Sequence, residues 1–231
     1  MGREELKKIV DEYMQKVCGL KEHCERCLKT ERWHGSVVLM VVDACFTSLG
    51  LNYFNAVVPK VFEFDEKFVR SGKIKNLKEL AKADIEELKE IWKNERSWNA
   101  AKNIAFYLSK LSDNNREALR NWAKNANVEK WKEDEIGKIK GVGLVTFQYL
   151  RMMGGVDTIM PDKIVKRVIN EILEKAGYNA VENDLEFIKK AEEIASICGY
   201  KPIEICWMTW LVQSEGNKIR MEKYASILDK I

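Results

Sequence analysis

KIKGVGLVTFQYLRMMGGVDTIMPDKIVKRV, residues 138–168, sets two spaced glycines before an apolar stretch, a glycine pair and an acid behind a proline. Gly141 and Gly143, flanking Val142, allow a tight turn that a Cβ would oppose. LVTFQYLRMM (144–153) then reads as a helix, with Leu144, Phe147, Leu150 and Met153 near one face. The N–H groups of its first turn lack intrahelical acceptors, and Lys138 and Lys140 stand beside them. That end suits an anion such as a DNA phosphate. GGVDTIMP interrupts the helix, and Pro161 sets the entry to the next one. Asp162 opens KIVKRVINEILEKAG, where Ile164, Val165, Val168, Ile169, Ile172 and Leu173 form an apolar stripe. An aspartate there caps free N–H groups. The same placement holds a rigid carboxylate, able to stabilise positive charge on a sugar or orient a water for attack at C1′.

Beyond this stretch, the periodicity is helical almost throughout. EELKKIVDEYMQKV aligns Leu6, Ile9, Val10, Tyr13, Met14 and Val17. Asp84 opens a further helix, with Glu87 three residues on in a capping-box pattern. RSWNAAKNIAFYLSKL, NREALRNWAKN, residues 162–176, residues 184–198 and CWMTWLVQS add more. VVLMVV and AVVPKVFEF are ambiguous between helix and strand. The expected class is all-α, without internal repeats or low-complexity segments.

The chain has 231 residues, 46% hydrophobic and 32% charged, as in a folded globular protein. Its net charge of +3 permits a local nucleic-acid patch without demanding one. The longest apolar run, residues 37–42, is too short to span a bilayer and ends at Asp43. The charged amphipathic start does not resemble a signal peptide. The expectation is a cytoplasmic prokaryotic protein, monomeric, with no membrane partner.

These motifs resemble the helix-hairpin-helix DNA glycosylase superfamily, the endonuclease III-like base-excision enzymes. That family carries a Gly-[Val/Ile]-Gly hairpin, a helix, a glycine-rich loop and an aspartate opening another helix, with Arg-Val five and six residues later. Here Arg167 and Val168 follow Asp162 at those offsets. Asp157, in GGVDT, is the second choice for the acid, and a loop-capping role is its plainer reading. The close match is confined to residues 138–168. The resemblance implies a two-lobed helix-hairpin-helix glycosylase fold with a DNA-binding cleft between lobes. Residues 1–35 and 155–231 would form the terminal-helix lobe, and 36–154 the six-helix lobe with the hairpin at 139–144.

It also implies duplex DNA with a damaged or mismatched base as partner. Asp162 would be the catalytic residue, and Lys138, Lys140, Gly141, Val142, Gly143 and Lys163 would contact DNA. Asn52 or Tyr53 would fill the gap left by the flipped base. Bifunctional members place a lysine two residues past the second hairpin glycine. Val145 stands there and cannot form a Schiff base, so hydrolysis without strand cleavage is expected. A bifunctional enzyme with a displaced lysine and a non-catalytic DNA-binding module are the alternatives.

No cofactor is required on this reading. The family's C-x6-C-x2-C-x5-C arrangement is missing, with only Cys198 and Cys206 near the C-terminus, so no iron–sulfur cluster is expected. Cys18, Cys24 and Cys27 could offer part of a zinc site with a histidine, His23 or His34. Packed thiols are the alternative. Trp98, Trp207 and Trp210 are candidates for stacking on an extruded base; core packing is the alternative. Asp43 and His34 could line such a pocket or act as ordinary capping and surface groups.

Overall fold

Caps and apolar stripes account for most of the helices. The computed structural model describes residues 2–17, 19–47, 49–215 and 221–231, without the side chains of 213–215 and 221–223. In chain order come α1 (Gly2–Met14), α2 (Leu20–Leu28), α3 (Val37–Thr47), α4 (Val58–Phe64) and α5 (Leu77–Lys82). Next are α6 (Ile85–Lys89), α7 (Glu95–Leu111), α8 (Asn115–Asn125) and α9 (Leu144–Met153). Then follow α10 (Lys163–Lys175), α11 (Asp184–Cys198), α12 (Pro202–Glu215) and α13 (Met221–Leu228). Tight 3-10 turns at Arg32–Gly35 and Val128–Glu133 and π-turns at Tyr53–Val57 and Asp65–Arg70 fill gaps between them. The described residues contain no β-strand, so the class is all-α. No helix among them is long and apolar enough to cross a membrane.

Side-chain oxygens of Asn76, Asp84, Asn94, Asn114 and Asn183 accept first-turn N–H groups of α5, α6, α7, α8 and α11. Each such cap stabilises its helix by about 1 kcal/mol. The Asp84 bond goes to Glu86 N at 3.0 Å. VVLMVV resolves as helix: every residue of α3 is buried, so its pattern shows neither period.

The chain divides into two compact units, Met1–Leu28 with Asp157–Lys230, and Lys29–Val156 with Ile231. The first boundary lies before the expected residue 35. Arg32 and Trp33 are buried against Asp43 of α3, which ties that segment to the second unit. In the first unit α1 packs on α10, α11 and α12, and α2 on α12. Leu6, Ile9, Val10, Val168, Ile172 and Leu211 lie in its core. In the second unit, which carries α3 to α9, α7 packs on α3, α5 and α8, and α9 on α3 and α8. Gly154 makes one of these approaches possible, since a Cβ there would fall 2.4 Å from Ala123 Cβ.

The sequence pattern places the end of a helix at residues 133–139, ahead of the hairpin, and the structure replaces it. Residues 133–139 do not form a helical arm; a 3-10 turn at Val128–Glu133 gives way to turns as far as Gly141. Asp134 Oδ1 accepts from Ile136 N at 2.8 Å and from Trp122 Nε1 at 3.1 Å, which redirects the backbone. At Gly137 a Cβ would lie 1.7 Å from the Trp131 carbonyl oxygen. Only glycine fits that turn.

Candidate functional site

α10 is strongly amphipathic and buries Val165, Val168, Ile169, Ile172 and Leu173. Its N-cap is Asp162, in extended conformation at φ −65 and ψ 152. Asp162 Oδ1 accepts from Ile164 N at 2.8 Å and from the Trp210 indole N–H, on α12, at 3.3 Å. Asp162 is half-buried, and its Oδ2 receives no hydrogen bond from the described residues. One oxygen is thus committed to the protein, and the other has no donor among the described residues. Lys163 and Arg167 are exposed on the same helix. Asp157 serves another helix: its Oδ1 accepts from Ile203 N at 3.1 Å in the first turn of α12. Burial pushes the Asp157 carboxyl above its ordinary range, and the Ile203 N–H and Lys201 pull it back.

In the other unit, Val142 N donates to Ile139 O at 3.0 Å, closing a turn with Gly141 at φ +102. L-residues avoid that φ, and a Cβ there would also meet Arg96 Cγ at 3.2 Å. Gly143 is exposed and caps α9 without any side-chain bond. A Cβ on Gly143 would meet nothing within 4 Å. The first turn of α9 thus has no capping side chain, and the space beside Gly143 is open. Lys138 and Lys140 are exposed next to it, and Lys138 pairs with Glu135 at 2.7 Å. Val142 and Val145 are half-buried.

In the segment before α4, Asn52 and Tyr53 are placed unlike one another. Asn52 is exposed, with its side-chain oxygen accepting from Asn55 N at 3.0 Å. Tyr53 is buried and does not offer its ring to a duplex. Its hydroxyl donates to Asp43 Oδ2 at 3.0 Å and accepts from Arg32 at 2.7 Å. Leu49 and Leu51 are the large exposed apolar side chains of that loop.

All three candidate tryptophans are buried, and packing takes up the faces that would stack on a base. Trp98 is fully buried; its N–H donates to Trp92 O at 2.7 Å, and Phe46 and Phe64 pack on its ring. Trp207 is buried edge-on between His23 and Trp210, at 4.5 Å and 5.1 Å. Cys24 and Cys27 are buried thiols on α2, and Cys18 lies outside the described residues. Among the described residues no three His, Cys, Asp or Glu side chains are grouped to hold a metal.

Local periodicity missed a buried polar cluster in the second unit. Asp43 Oδ2 accepts from Arg32 at 3.2 Å, Trp33 Nε1 at 2.8 Å, Tyr53 at 3.0 Å and Tyr149 at 2.9 Å. Burial pushes the Asp43 carboxyl up, against the opposing pull of Arg32 and the ring donors. Trp33 and His34 adopt left-handed φ values of 52 and 54, each costing about 1–2 kcal/mol. Locking Arg32 and Trp33 onto Asp43 offsets that strain. Asp43 therefore lines no open pocket, while His34 is exposed. The available signal was an acid within the otherwise apolar run that became α3.

No curated protein and no solved structure matches the chain. Residues 8–214 match the model of a domain of unknown function, DUF8548, and the chain belongs to that family.

Proposed function

We propose that this protein is a monofunctional DNA glycosylase that hydrolyses the N-glycosidic bond of a damaged or mismatched base. The observation that carries the reading is Asp162: a half-buried N-cap acid with one oxygen held by two donors and the other without a donor among the described residues. On this reading Oδ2 faces the sugar of an extruded nucleotide. It stabilises the charge that develops at C1′ and orients the attacking water, and the base departs. The uncapped first turn of α9, with Lys138 and Lys140, takes a backbone phosphate. The two-lobed glycosylase fold and its DNA cleft belong to the same proposal.

Val145 supplies no amine, so the product is an intact abasic site. No cofactor takes part. The experiment is base release from duplex oligonucleotides each carrying one lesion, read with and without alkali, beside Asp162→Asn. Breaks only after alkali, absent in the variant and without borohydride trapping, support the reading. Breaks without alkali point to a lyase using another lysine. Salt-sensitive duplex binding with no release points to a non-catalytic binding module.

A further inference from the structure

The geometry points to Trp210 as a positioning residue for Asp162, an inference that rests on the glycosylase reading. An N-cap aspartate held by one backbone N–H keeps freedom about its Cβ–Cγ bond, and its two oxygens can exchange places. Asp162 Oδ1 has two donors instead. Ile164 N approaches along the axis of α10 at 2.8 Å, and the Trp210 indole N–H comes from α12 at 3.3 Å. Together they define the carboxylate plane and leave Oδ2 as the free atom.

The donor is itself immobilised. Trp210 is 4% exposed and packs edge-on to Trp207, which is 1% exposed. A buried ring has little rotamer freedom, so its N–H acts as a fixed pin. This burial leaves Trp210 little face for stacking a base. Its contribution is to aim the acid, and misalignment of a reacting group by an ångström or so costs about 100-fold in rate.

Two measurements on the full chain test the assignment. In the first, the Nε1–H resonance of Trp210 is identified by its loss in Trp210→Phe and followed in Asp162→Ser. Serine keeps an N-cap but withdraws the acceptor from the indole, so the resonance should move. An unmoved resonance overturns the contact whether or not the protein excises bases. In the second, Trp210→Phe is compared with wild type for single-turnover base release and for duplex affinity. Release should slow by about 10- to 100-fold with affinity unchanged. Release at the wild-type rate, or affinity falling in step with rate, overturns the positioning role. If wild type releases no base from any lesion, the glycosylase reading fails, and with it the role in excision. The resonance then still decides whether the contact exists.

Discussion

The hydroxyl of Tyr149 donates to Asp43 Oδ2 at 2.9 Å, joining α9 to α3 across 106 positions of sequence. Both residues are fully buried. The same oxygen takes Arg32, whose side chain has no exposed surface. Removing one partner of a buried ion pair leaves the other charge uncompensated. Asp43→Ala should therefore lower unfolding free energy by about 3–5 kcal/mol. Arg32→Met combined with Asp43→Leu should cost less than Asp43→Ala alone. Urea unfolding of the three proteins measures this. A loss below about 1 kcal/mol for Asp43→Ala would mean that the cluster does not hold α3 and α9 together.

At Asp162, chemistry and stability should separate. Asparagine caps helices about as well as aspartate, so Asp162→Asn should change stability by only a few tenths of a kcal/mol. It should nevertheless abolish base release. Asp162→Ala should lose release and also about 1 kcal/mol. Thermal melts beside the release assay check both, and release surviving in Asp162→Asn removes the acid from the mechanism.

The three glycines around the hairpin should respond unequally. Gly137→Ala drives a Cβ to 1.7 Å from a backbone oxygen and should be the most damaging. Gly141→Ala forces φ +102 on an L-residue and presses on Arg96, costing about 1 kcal/mol or more. Gly143→Ala meets open space at φ −109 and should leave stability nearly unchanged. On the proposed reading, that methyl group should still weaken duplex binding, by standing where a phosphate approaches. Melting temperatures and binding titrations at fixed salt distinguish these outcomes. Equal stability losses at all three positions would contradict the geometry.

Tyr200 should make stability fall in alkali. Burial, then its hydrogen bond to Asp11 at 2.8 Å, pushes the phenol from 10.0 to about 12. The unfolded chain releases this proton near 10.0 while the folded chain keeps it to about 12. The folded state binds more protons in that window, so its stability decreases as pH rises. In Tyr200→Phe the contribution is absent. The stability advantage of wild type over this variant should shrink from pH 10 to pH 12, as read from denaturant midpoints. A constant difference would show that the phenol ionises alike in both states.

Much of the helical layout was legible because its causes are local. The spans of α8 and α11 follow directly from Asn114, Asn183 and the apolar stripes behind them. Asp162 was readable as an N-cap for the same reason: its acceptor role depends on residues two positions away. The arm before Gly141 was misread as helix because Asp134 and Gly137 act through Trp122 and the Trp131 carbonyl, which periodicity does not register.

Short-range causes placed many of the helices, put Asp162 at the start of α10 and required glycine at position 141. Caps, stripes and φ preferences operate over a few residues. Tertiary packing alone turns Tyr53 inward to Asp43, covers the rings of Trp98 and Trp207, and brings Trp210 to Asp162 from 48 residues away. Those outcomes depend on which helices meet and on what remains of each ring's surface once they have packed.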